Sequence, residues 1–202
     1  MTSILTGDII DSRSLPAKTW LPLLKAALQR VGEKGSWEVF RGDSFQLEIK
    51  PQEALLSAIY IKAILKAINI DVRIAIGIGE KQFSAKKITE SNGEAFIFSG
   101  EKLDELKKER INLAIQSKWN DLDYEMNIAI RLALIAMDNW SPIAADIVKL
   151  SIENPQISQI ELAELTGKSQ SSISEALKRA HYNEILGLDG LYRNKVNHLI
   201  GA

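Results

Sequence analysis

Cysteine is absent from the 202 residues, which excludes disulfides, thiolate nucleophiles, zinc fingers and iron–sulfur clusters together. Histidine occurs only as His181 and His198, so an imidazole-rich metal site is excluded as well. Any metal would have to be held by carboxylates, and would then be a hard cation such as Mg²⁺ or Mn²⁺. An excess of either charge is also missing: 25 Lys and Arg stand against 26 Asp and Glu, a net charge of −1. At that level neither a basic footprint for nucleic acid nor an acidic tail is visible. Long apolar runs are lacking too. The most apolar stretch, Met126 to Met137, contains Arg131 and falls well short of the ~20 residues that span a bilayer. The first residues have no basic start and only a two-residue apolar run, so no signal peptide is expected. The chain is therefore expected in the cytoplasm, without a membrane partner. What remains is 46% apolar and 25% charged, the balance of a globular chain long enough for one large domain or two small ones.

Ser3 to Ile10 is a short apolar run through Gly7-Asp8, which predicts a buried strand carrying Asp8 to its end. A helix starts near Thr19, with Pro22 tolerated in its first turn and Leu21, Leu24, Leu28 and Val31 on one face. Trp37 to Phe40 and Ser44 to Lys50 alternate with a period of two around Gly42-Asp43, the pattern of a hairpin. Gln52 to Asn69 predicts a second helix whose solvent stripe is Lys62, Lys66 and Asn69, and Val72 to Gly79 another strand. The order β-α-β-β-α-β is that of the split ferredoxin-like pattern. A polar loop (81–92), a helix (93–108) and a strand around Ile111 to Ile115 complete an α+β domain over 1–118. The segment 119–141 predicts a connecting helix. Residues 142–202 show no strand-like alternation, which predicts an all-α domain.

Within that last domain, Ser158 to Leu177 has the spacing of a helix-turn-helix. Ala163 is small where a second helix crosses close by, and Gly167 suits a tight left-handed turn. Ser169 is an N-cap, and Ile173 is placed to pack back on the first helix. The exposed first turn, Gln170, Ser171 and Ser172, would meet base edges in a major groove, with Lys168, Ser169, Lys178 and Arg179 beside it. Glu175 on the same helix opposes that thin positive charge, and a plain helical hairpin or a protein-contact role remains an alternative. DNA binding would be weak and salt-sensitive, and would need a homodimer.

The first domain offers carboxylates. Asp8 ends the first strand and Asp43 sits in the hairpin turn, so a split sheet can bring both to one edge, with Asp11 as a third oxygen donor. There they could hold Mg²⁺ or Mn²⁺ against a nucleotide, with Arg13, Arg41 and Gly42 near its phosphates. The alternative is that Asp43 serves the turn alone and that Arg13 and Arg41 neutralise the aspartates. Gly77-Ile78-Gly79 is too short for a phosphate fingerprint and suits a tight strand exit. His181 is placed to touch a DNA backbone or to be structural, and Trp119, Met126, Met137 and Trp140 are expected in packing.

Asp8-Ile9 with Gly42-Asp43 resembles the metal-binding pattern of the class III nucleotidyl cyclase palm, and Arg41-Gly-Asp-Ser-Phe45 resembles the GGDEF hairpin of diguanylate cyclases. Thr6-Gly-Asp-Ile-Ile-Asp-Ser-Arg13, Phe40-Arg-Gly-Asp-Ser-Phe-Gln46, Gly93-Glu-Ala95 and the helix-turn-helix together resemble the SatD family of small bacterial proteins over nearly the whole chain. That resemblance implies the two-part architecture rather than a defined activity. Where the cyclase resemblance implies an Asn and an Arg for transition-state charge, this chain has Ile97 and Glu101. Neither stabilises a developing phosphoryl anion, which argues against cyclase chemistry. The expectation is a DNA-binding regulatory protein whose first domain senses a nucleotide or divalent metal. The alternatives are a Mg²⁺-dependent nucleotidyl- or phosphoryl-transfer enzyme and a protein–protein adaptor.

Overall fold

Alternation along the first strand decides which side of the sheet each of its residues serves. In the computed structural model, which describes residues 1–201, β1 (Thr2–Ile10) is the central strand of five. The order is β2 (Trp37–Phe40), β3 (Ser44–Ile49), β1, β4 (Asp71–Gly79) and β7 (Leu113–Ser117). All neighbours are antiparallel except β4 and β7, so the sheet is mixed. Leu5 and Ile9 join Phe45, Leu47, Val72, Ile74 and Ile76 in the main core, under α1 (Ala17–Val31) and α2 (Ala54–Lys66). Ile4, Thr6 and Asp8 point the other way, where Ile4 meets Ala95 and Thr6 hydrogen-bonds Ser99 at 2.8 Å. Both partners belong to α3 (Glu94–Glu109), which covers that face.

Gly77 and Gly79 make this second layer feasible. A Cβ at Gly77 would lie 2.1 Å from the Ala95 carbonyl, and one at Gly79 would lie 2.7 Å from the Glu94 Cβ. The expected strand exit falls here, since β4 ends at Gly79, and the two glycines also admit the α3 backbone. The expected polar loop also contains structure, a small ribbon of β5 (Lys81–Phe83) and β6 (Asn92–Gly93).

The second expected helix is shorter than its pattern and differently placed. Pro51–Glu53 forms a 3₁₀ turn, and α2 is buried nearly all round, as suits a helix packed between layers. Lys62, expected on a solvent stripe, is 1% exposed. Its Nζ lies 2.6 Å from both Asp71 and Asp138, and Lys66 donates to the Asp138 carbonyl at 2.6 Å. A buried ammonium is tolerable because two carboxylates compensate its lost hydration.

Beyond the sheet come α4 (Asn120–Met137), α5 (Pro142–Glu153), α6 (Gln159–Thr166), α7 (Gln170–Arg179) and α8 (Tyr182–Gly201). Met126, Ile130, Val148, Ile185 and Tyr192 extend the main core through α4, α5 and α8. As expected, Met126, Met137 and Trp140 are buried, and Trp119 is partly so. Hydrogen bonds help fasten these helices: Tyr192 Oη donates to the Pro51 carbonyl at 2.6 Å, and Trp140 Nε1 to that of Ala180 at 3.0 Å. By contrast, α6 and α7 share a separate small cluster with α5, namely Ile147, Leu162, Ala163, Ile173 and Ala176. Among the described residues no helix is long and apolar enough to cross a membrane.

Candidate functional site

Two places carry the residues singled out by sequence, and they are built differently. At the first, Asp8 and Asp43 lie at the same end of adjacent strands: Asp8 pairs in register with Ser44, and the Ile9 N–H donates to the Asp43 carbonyl at 3.1 Å. Their carboxylates have different partners. Asp8 Oδ1 is 3.3 Å from Arg73 Nη1, its cross-strand neighbour on β4, and Oδ2 is 3.2 Å from Lys107 Nζ on α3. Asp43 Oδ2 accepts from Ser12 Oγ at 2.6 Å. Asp11 is exposed in a left-handed conformation just after β1. Among the described residues no three His, Asp or Glu gather as a metal-binding group, so the three aspartates are not brought together as one set of ligands.

The cations expected to neutralise Asp8 are not the ones that do so. Arg13 and Arg41 are both exposed, and the Arg41 guanidinium lies 6.0 Å from the Phe40 ring. Gly42 has φ +95° with open space around it, so its immediate role is the backbone of the turn. Arg73 and Lys107 were missed by the sequence reading. Arg73 had a weak signal, an arginine among the isoleucines of a strand; Lys107 had none, because α3 reaches Asp8 only through tertiary packing. Ile97 is half exposed on α3, and Glu101 accepts from Gln116 at 3.2 Å.

The second place is the α6–α7 pair. Ser158 begins α6 with a capping box: the Glu161 N–H donates to the Ser158 hydroxyl, and the Glu161 carboxylate accepts from the Ser158 N–H at 2.6 Å. That backbone hydrogen bond lowers the Glu161 pKa below its ordinary value. Gly167 ends α6 at φ +65°, and the Lys168 N–H returns to the Ala163 carbonyl at 3.0 Å, closing the turn. Ser169 caps α7, accepting from the Ser172 N–H at 3.2 Å. Ala163 and Ile173 are buried where the two helices meet.

What this leaves outside is the first turn of α7. Lys168, Ser169, Gln170, Ser171 and Ser172 are all exposed, as are Lys178 and Arg179 at the other end. Ser169 Oγ lies 3.0 Å from Ser171 Oγ and 2.8 Å from Ser172 Oγ. Gln170 Nε2 donates to Gln159 Oε1 on α6 at 3.1 Å, which holds its amide in place. Gln159 was missed by the sequence reading, since no local pattern joins residues 11 apart across a turn. Arg179 pairs with Glu175 at 2.9 Å, so Lys168 and Lys178 carry the less opposed positive charge. His181, considered for a DNA backbone, adopts φ +53° between α7 and α8 and borders a groove between α4 and α8. No family model and no curated protein matches the chain.

Proposed function

We propose that this chain is a DNA-binding regulatory protein that offers the first turn of α7 to a major groove. The observation that carries the reading is the α6–α7 unit: two short helices, a closed left-handed turn, a shared apolar contact, and a run of uncovered hydroxyl and amide groups. Such a unit fits the helix-turn-helix arrangement, whose second helix addresses base edges through its N-terminal residues. Gln170 is suited to the two edge groups of adenine, and the serines to either donors or acceptors. Lys168 and Lys178 would meet phosphates.

The α+β unit is, in this reading, the platform. Its strand order β2-β3-β1-β4 fits a split ferredoxin-like sheet with β7 added, which supports a palm-type unit. An anionic ligand such as a nucleotide would meet Arg13 and Arg41 in the loops that adjoin Asp43. The phosphoryl-transfer alternative has weaker support, because Asp8 already answers two cations.

Selection from random DNA at low salt tests the proposal. The expected result is an enriched site, with Gln170→Ala weakening binding by about 5- to 100-fold. With Lys168, Lys178 and Arg179 as the cations of the α7 segment, the salt slope should be shallow, of magnitude about 2–3 per protomer. Failure of the folded protein to enrich any site at low salt would overturn the reading.

A further inference from the structure

The α4 helix has one face that nothing among the described residues covers. Tyr124 is 71% exposed, Ile128 45%, Leu132 65% and Ile135 68%. Their spacings of 4, 4 and 3 residues put them on a single stripe. Beside it, α4 and α8 enclose an open trough of about 560 Å³ that continues into a second of about 690 Å³, the two sharing Leu191. The first has a floor of small residues, Ala129, Ala133, Ala136 and Gly187, and a Cβ at Gly187 would meet nothing within 4 Å. The face therefore presents large side chains next to a cleft able to receive large side chains.

We infer that this face docks a second copy of the chain, with α4 packing antiparallel on its counterpart about a two-fold axis between Ile128 and Leu132. Three observations select that occupant. First, the stripe is close to its own mirror in sequence: antiparallel pairing sets Ile128 against Leu132 of the other copy and Tyr124 against Ile135. Second, the charges beside the stripe are closed in pairs within the chain, Glu125 with Lys195 and Arg131 with Glu109, so the face sets no excess of one sign against its own copy. Third, the stripe and Leu191 leave on the order of 500 Å² open, more than single exposed residues account for. That is a large share of the ~800 Å² each partner gives to a stable interface. The inference stands apart from what α7 binds, and its test contains no DNA.

Sedimentation of the full chain across micromolar concentrations should show a dimer. Leu132→Glu and Ile135→Glu should each give a monomer with an unchanged circular-dichroism spectrum, both positions being on the surface. Ile143→Glu, at a site 62% exposed on α5, should stay dimeric. Because the chain lacks cysteine, register can be read directly. Oxidised mixtures of Ile128→Cys with Leu132→Cys should cross-link severalfold more than either variant alone. A wild-type monomer at all concentrations overturns the inference, as does a dimer that survives both glutamates. Equal cross-linking in all three samples overturns the antiparallel arrangement.

Discussion

Asp8 and the first turn of α7 are both polar sites built at the end of a regular element, yet they meet their surroundings in opposite ways. Asp8 lies mostly covered at a sheet face, and the chain supplies its counter-ions in Arg73 and Lys107. The α7 turn lies on the surface, and its hydroxyls and amide bond chiefly to one another and to Gln159. A charge answered within the fold contributes to stability and must lose partners before it can bind anything else. Polar groups answered only by neighbours of their own kind and by water can exchange those contacts for a ligand at little cost. This contrast favours the proposed recognising role for α7, while Asp8 has its counter-ions within the fold.

The strongest way to break this contrast is to remove what holds the α6–α7 unit together. Ile173→Ala empties the centre of the small α5–α6–α7 cluster and should cost about 2–5 kcal/mol locally. Hydrogen exchange should then quicken in α6 and α7 while the β1 and β4 amides stay protected. Equal loss of protection in the sheet would show that the two regions unfold as one. Asp8→Ala should come next, destabilising by about 1–3 kcal/mol because Arg73 is left mostly covered without its carboxylate. If chemical denaturation instead finds Asp8→Ala neutral or stabilising, Asp8 is not structural and a ligand role regains weight.

Smaller effects sharpen the picture. Gly167→Ala has open space around it, so only its φ of +65° opposes the substitution. A loss of about 1 kcal/mol is expected, with Gly167→Asn costing less, measured by thermal unfolding. The least effect belongs to Asp189, buried on α8. Desolvation by burial raises its pKa, and the Arg193 guanidinium, donating at 2.5 Å, offsets part of that. The folded state therefore holds its proton over a range in which the unfolded chain has released it. Stability from this residue falls as pH rises from the ordinary Asp value through the raised one, and is level above. Urea midpoints from about pH 4 to about pH 7 should lose that slope in Asp189→Asn; an unchanged slope would mean that other groups set it.

Much of the local structure was available from the sequence. A short apolar run identified β1, alternation the β2–β3 hairpin and β4, and the residues at 163, 167, 169 and 173 located the α7 cap, the turn and the helix contact in α6–α7. These features were readable because capping, turn conformation and periodic burial act over only a few residues. The sequence also determined which chemistry was unavailable, since a chain without cysteine and with two late histidines has only carboxylates for metal.

The tertiary structure decided the partners. Lys62 reads as a solvent-facing lysine on its own helix and is buried because Asp138, 76 positions later, closes over it. Gly77 and Gly79 read as a strand exit, and only the fold shows that they also make room for α3. Arg73 and Lys107 reach Asp8 through strand register and helix docking, and Gln159 meets Gln170 across a turn. Each of these depends on which distant surfaces come together, and a helical or strand period records only that a residue will be covered, never by what.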